Sequence, residues 1–102
     1  MIGDVEISFR AQSKVGRYYG PAAIREKLDT LDGTLFQRED GMFYLRTIKP
    51  THTGPPKRVV IVFEVTESTA YVITQTSDHY NWSNFVNLDD PPFSIDLPRN
   101  DE

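Results

Sequence analysis

Apolar residues alternate with polar ones in several short runs of this chain, and in one stretch they recur with a helical period. In "VEISFR", residues 5 to 10, Val5, Ile7 and Phe9 alternate with Glu6, Ser8 and Arg10, which predicts a strand with one buried face. "AQSKVGRYYG" has no clear period and reads as a loop carrying Lys14, Arg17, Tyr18 and Tyr19,. In "GPAAIREKLDTLDG", Ile24, Leu28 and Leu31 fall on one face at helical spacing,. Pro21 suits a first helical turn, where its N–H is not needed, and Gly33 suits the left-handed conformation that ends a helix,. A helix over this stretch, packing its apolar stripe on a sheet, is the expectation.

From Thr34 onward the pattern turns to strands. "TLFQRE" and "MFYLRTI" flank Asp40-Gly41, a pair suited to a tight type I′ hairpin turn. "KPTHTGPPKR" interrupts with prolines and a glycine, and then "RVVIVFEVT" and "TAYVITQT", rich in β-branched residues, follow across a Glu67-Ser68 turn,. This predicts a four-stranded antiparallel meander. In the last stretch Phe93, Ile95 and Leu97 alternate with Ser94 and Asp96 between prolines, as expected of an edge strand or an extended arm. The fold class is therefore α+β: one N-terminal helix packed on a mostly antiparallel sheet of four to five strands, forming a domain over residues 1–88, with an extended acidic C-terminal arm over 89–102.

Composition narrows the function classes. A chain of 102 residues with 12% aromatic content fits one domain with one core,. The net charge of −4 resides wholly in the arm, where Asp89, Asp90, Asp96, Asp101 and Glu102 face only Arg99; the first 88 residues balance ten basic against ten acidic side chains. The basic excess usual in nucleic-acid binders is thus absent globally, leaving only a local patch to supply one. Absence of cysteine excludes disulfides, Cys-ligated zinc and thiol nucleophiles,. No apolar run has the roughly 18 residues of a membrane span, and "MIGDVEISFR" has no signal-peptide pattern,; the expectation is a cytoplasmic protein without membrane contact. Asp89-Asp90 lack the ligand spacing of a calcium loop, so no metal and no cofactor are expected,.

Two constellations carry candidate chemistry. Lys49, His52, Lys57 and Arg58, with Arg46 just before them, form the densest basic patch and would clamp a phosphate, with His52 titrating near neutrality for proton transfer. The other lies in "VITQTSDHYNW", where His79 and Tyr80 follow a strand end and Thr74 and Thr76 share a strand face. Strand pairing brings Arg58 to the same end of the sheet as His79, and joint proton transfer would need the two within about 4 Å, directly or through one water. Ser77, Asp78 and Asn81 read as turn formers,, and Tyr18-Tyr19 as packing aromatics.

The order of one helix and four antiparallel strands, with "RVVIVFEVT" and "AYVITQTSDHY" as the later pair, resembles the small ribonuclease toxins of the barnase, RelE and EndoU kind over residues 20 to 80. The resemblance implies a metal-independent endoribonuclease, with His79, Tyr80, Arg58 and His52 in catalytic roles and Arg46, Lys49 and Lys57 binding RNA. The competing expectation is a non-catalytic interaction protein, a phage or plasmid regulator or an inhibitor, engaging a protein partner through its acidic arm or an open sheet edge.

Overall fold

A computed structural model describes residues 1–13 and 17–98. Lys14, named above with the tyrosine loop, and residues 99–102 of the arm lie outside them. Six strands form one mixed sheet: β1 (Asp4–Ile7), β2 (Thr34–Gln37), β3 (Phe43–Lys49), β4 (Lys57–Thr66), β5 (Thr69–Ser77) and β6 (Val86–Asn87), in the order β1-β5-β4-β3-β2-β6. Two α-helices, α1 (Phe9–Gln12) and α2 (Pro21–Thr30), and a short 3-10 helix over Trp82–Asn84 are the other regular elements among the described residues. The fold is α+β as expected, and β2 to β5 form the expected meander. The expected four to five strands become six, because β1 adds in parallel to β5 and β6 adds beyond β2.

The first strand ends earlier than its alternation predicts. Ser8 donates its N–H to Val72 O (2.9 Å) and its hydroxyl to Ile73 O (2.6 Å), while its Oγ accepts from Ala11 N (3.0 Å). The last bond makes Ser8 the N-cap of α1,. Phe9, expected to point inward, is consequently 87% exposed. Ile73 is the extra residue of a β-bulge, since Val62 pairs with Thr74 but Phe63 pairs with Val72,. Ser8 thus anchors α1 to the bulge carbonyl.

Helix α2 also ends differently from expectation. Leu31, not Gly33, takes the left-handed conformation (φ 48°), and Leu31 N and Asp32 N close the helix on Leu28 O and Lys27 O,. Gly33 has a different task, because a Cβ there would sit 2.4 Å from Arg46 O. Only glycine lets the chain enter β2 that close to β3. The Asp40-Gly41 hairpin is likewise longer than a two-residue turn. Gly41 N bonds Arg38 O, Arg38 N bonds Met42 O, and within the turn positive φ is confined to Gly41, so this is a three-residue loop with a glycine bulge.

The sheet's two faces are covered unequally. Leu35, Leu45, Ile61, Phe63 and Val72 face α2, whose Ile24 and Leu28 are fully buried against them. Residues 93–97 join this core: Leu97 is buried, Phe93 and Ile95 pack on it, and Ile2 brackets Ile95 by bonds to Ser94 O and from Asp96 N. The opposite face has a smaller aromatic core, in which Phe36, Tyr44, Val60 and Val62 are roofed by Tyr80, Trp82 and Phe85. That roof reaches Arg46 through Trp82 and leaves Ile48 and Arg58, at the end of the sheet, exposed.

Candidate functional site

Strand alternation divides the basic patch. Thr47 and Val59 are buried on the helix side, so Lys49 and Lys57 lie on that side too, while Arg46, Ile48 and Arg58 project from the other face,. Lys57 Nζ donates to Arg17 O (2.9 Å) and lies 5.4 Å from the Tyr18 ring centroid, which commits it to holding the tyrosine loop. Lys49 is half-buried, and His52 sits exposed in the connecting loop without a hydrogen bond among the described residues. The patch that looks continuous in sequence is therefore two surfaces.

His79 and Tyr80 are placed at the strand end as expected, yet each has a local task. His79 is exposed, stacks on Tyr80 (4.4 Å), and its Nδ1 lies 2.9 Å from Ser77 O. A carbonyl only accepts, so Nδ1 donates this bond, and Nε2 has no partner among the described residues,. Tyr80 packs edge-on against Tyr44 (5.2 Å) and Phe85 (5.8 Å) as part of the roof. Val59 pairs with Ser77, which sets Arg58 beside Asp78 in register, but no hydrogen bond links Arg58 to His79. Thr76 hydrogen-bonds Ser77 O locally, and Thr74 lies on the same sheet face.

Asp78, read from sequence as a turn former, organises this corner. Its carboxylate is only 9% exposed; Oδ2 accepts from Arg46 Nε (2.7 Å) and Oδ1 from Trp82 Nε1 (2.8 Å). The Arg46 guanidinium carbon also lies 5.7 Å from the Trp82 ring centroid, within cation–π range. Arg46 is thereby fixed through Nε while its two terminal nitrogens have no partner among the described residues. Arg58, one strand away, is exposed and forms no ion pair or hydrogen bond among them.

Between the two arginines lies a notch of about 180 Å³ lined by Thr34, Arg46, Thr47, Ile48 and Arg58. It opens on an unpaired stretch of sheet edge. Leu35 O accepts from Leu88 N, so the odd positions of β2 turn their peptide groups toward β6 and the even ones toward β3,. Arg38 N bonding Met42 O continues that alternation. On β3 the even positions therefore face β2, and the pairing stops at Thr34 opposite Arg46. Ile48, the next even position, directs its N–H and C=O outward past the end of β2, with no partner among the described residues. Its side chain is 60% exposed on the notch side.

Among the described residues there is no group of three or more metal-ligating His or acidic side chains and no helix long and apolar enough to cross a membrane.

No protein-family model, curated protein or solved structure matches this chain.

The buried Gln75 was also missed by sequence reading, which attended to the threonines on either side. Its Oε1 accepts from Tyr19 N (2.9 Å) and its Nε2 donates to Ala11 O (3.0 Å) and Tyr19 O (2.7 Å). Tyr19 is itself buried, its hydroxyl donating to Thr47 Oγ1 (2.7 Å), which in turn donates to Val59 O (2.8 Å). This network fixes the helix-side flank of β3. The one available signal was a glutamine among β-branched residues on a central strand.

Proposed function

We propose that this protein is a non-catalytic interaction domain that binds an extended segment of a protein partner by strand addition at Ile48. The observation that carries the reading is the outward N–H and C=O of Ile48 at the end of β2. An incoming strand that extends the line of β2 completes both bonds, as in other sheet-edge recognition. Pro50, at the next outward position, has no N–H to donate and limits the edge to a short contact,. Such a contact is suited to reversible binding.

Replacing Ile48 with proline tests this directly. The Ile48 N–H lies outside the β3–β4 ladder, so the variant keeps the sheet but loses the outward donor. Peptides selected from a displayed library of unstructured sequences are expected to protect the Ile48 amide from exchange with solvent and to bind Ile48→Pro poorly. Selected peptides that bind both proteins equally, or that protect amides elsewhere, would overturn the reading.

One observation favours a second reading as a metal-independent ribonuclease: the exposed His79 lies at the same end of the sheet as Arg58, with its Nε2 unpartnered among the described residues. The interaction reading ranks above it because Tyr80 is used in packing and the basic patch is split between faces. Purified protein is expected to leave single-stranded RNA intact; cleavage abolished by His79→Ala in a folded protein would reverse the order.

A further inference from the structure

We infer that the notch between Arg46 and Arg58 is a seat for a carboxylate carried by the strand that adds at Ile48, which makes the partner segment acidic. The inference rests on the strand-addition reading and specifies the chemistry of its ligand. Three features carry it.

The first is preorganisation. A free arginine side chain loses substantial rotamer entropy when it grips an anion. Arg46 has surrendered much of that freedom already, since Asp78 holds its Nε at 2.7 Å and Trp82 holds the other oxygen of Asp78 at 2.8 Å. Its terminal N–H groups remain available in a fixed plane, the geometry that matches a carboxylate bidentately.

The second is charge. Two arginines offset by one aspartate leave a single net positive charge at the notch. That balance suits a monoanionic carboxylate better than a phosphate monoester, which carries nearly two charges at neutral pH. The largely covered Asp78 carboxylate also repels a second negative group brought close to Arg46,.

The third is position. Ile48 places its backbone bonds at the edge and its side chain beside both arginines. On a strand added there, side chains on the notch face alternate with those on the other face. An acidic residue whose side chain falls on the notch face brings its carboxylate to Arg46 and Arg58 while the backbone engages Ile48, and the Thr34 hydroxyl at the rim supplies a further donor,.

Trp82 is the only tryptophan of the chain and touches Asp78 directly, so its emission reports occupancy of the notch. The probe is a short N-acetylated, C-amidated peptide of alternating threonine and valine with one central glutamate, compared with its glutamine counterpart by titration calorimetry and Trp82 emission. The glutamate peptide is expected to bind at least about tenfold more tightly, as losing a charge-assisted bidentate pair implies. Arg58→Gln, an exposed substitution that leaves the fold intact, should weaken the glutamate peptide and narrow its advantage over the glutamine peptide. Equal affinity of both peptides for the wild type, each protecting the Ile48 amide, would overturn the carboxylate seat while leaving strand addition standing. Failure of both peptides to bind or to protect that amide would overturn both. Displacement of the glutamate peptide by inorganic phosphate at concentrations where acetate has no effect would show a phosphate site and overturn the assignment to a carboxylate.

Discussion

At the scale of single residues, the informative side chains are those whose partners lie far away in sequence. Asp78 meets Arg46, 32 positions earlier, and Gln75 meets Ala11 and Tyr19, separated by 64 and 56 positions. Neither association leaves a local pattern, which is why an aspartate after a strand reads as a turn former and a glutamine between threonines goes unnoticed. His79 and Tyr80 stood out by residue type, yet type does not reveal that Tyr80 packs into a roof or that Ser77 O occupies His79 Nδ1. Asp78→Ala should cost about 1–3 kcal/mol in denaturant unfolding, because a charge-assisted pair and the Trp82 N–H lose their shared acceptor. The substitution should also shift Trp82 emission to longer wavelength in the folded baseline. A folded-state spectrum identical to the wild type would mean that Asp78 does not hold the indole.

At the scale of elements, the meander from β2 to β5 and the helix over Pro21–Thr30 were legible because each satisfies a short-range rule: period-two alternation, β-branched composition, proline at the start of a helix,. The parallel pairing of β1 with β5 was not, since nothing in "VEISFR" specifies a partner more than 60 positions away. Phe9 continued the alternation by chance; Ser8 broke it by capping α1 and binding the bulge at Ile73. The basic patch looked like one surface for a related reason. Adjacent strand residues point to opposite faces, so sequence proximity of Lys57 and Arg58 separates their charges in space. Gly33 illustrates how one element constrains its neighbour. Gly33→Ala would set a methyl group against Arg46 O at a positive φ of 150°, and should cost roughly 2 kcal/mol or more while disturbing the Thr34–Arg46 pairing at the notch. Chemical denaturation gives the stability change, and a loss below about 0.5 kcal/mol would show that β2 moves aside freely.

At the scale of the whole molecule, the acidic stretch after Leu88 is part of the architecture at least as far as Leu97. Leu97 is buried, and Ile2 is bonded to both Ser94 and Asp96. Removing residues 89–102 should therefore lower stability by about 3 kcal/mol or more, counting Leu97 and the partial burial of Phe93 and Ile95. For a chain of this size that corresponds to a fall of more than about 10 °C in melting temperature, and a truncated protein that melts like the wild type would contradict the packing seen here. The link between Ser8 and Ile73 has another consequence, for the order in which the protein can assemble during synthesis. A ribosome releases β1 first and its partner β5 only after 65 further residues separate those two anchors. The meander, built from neighbouring hairpins, can form as it emerges, with the outer edge of β5 bare until β1 returns to it. Newborn chains are thus expected to pass through a brief interval in which that edge is available to other nascent chains, and closure by β1 is the step that ends it.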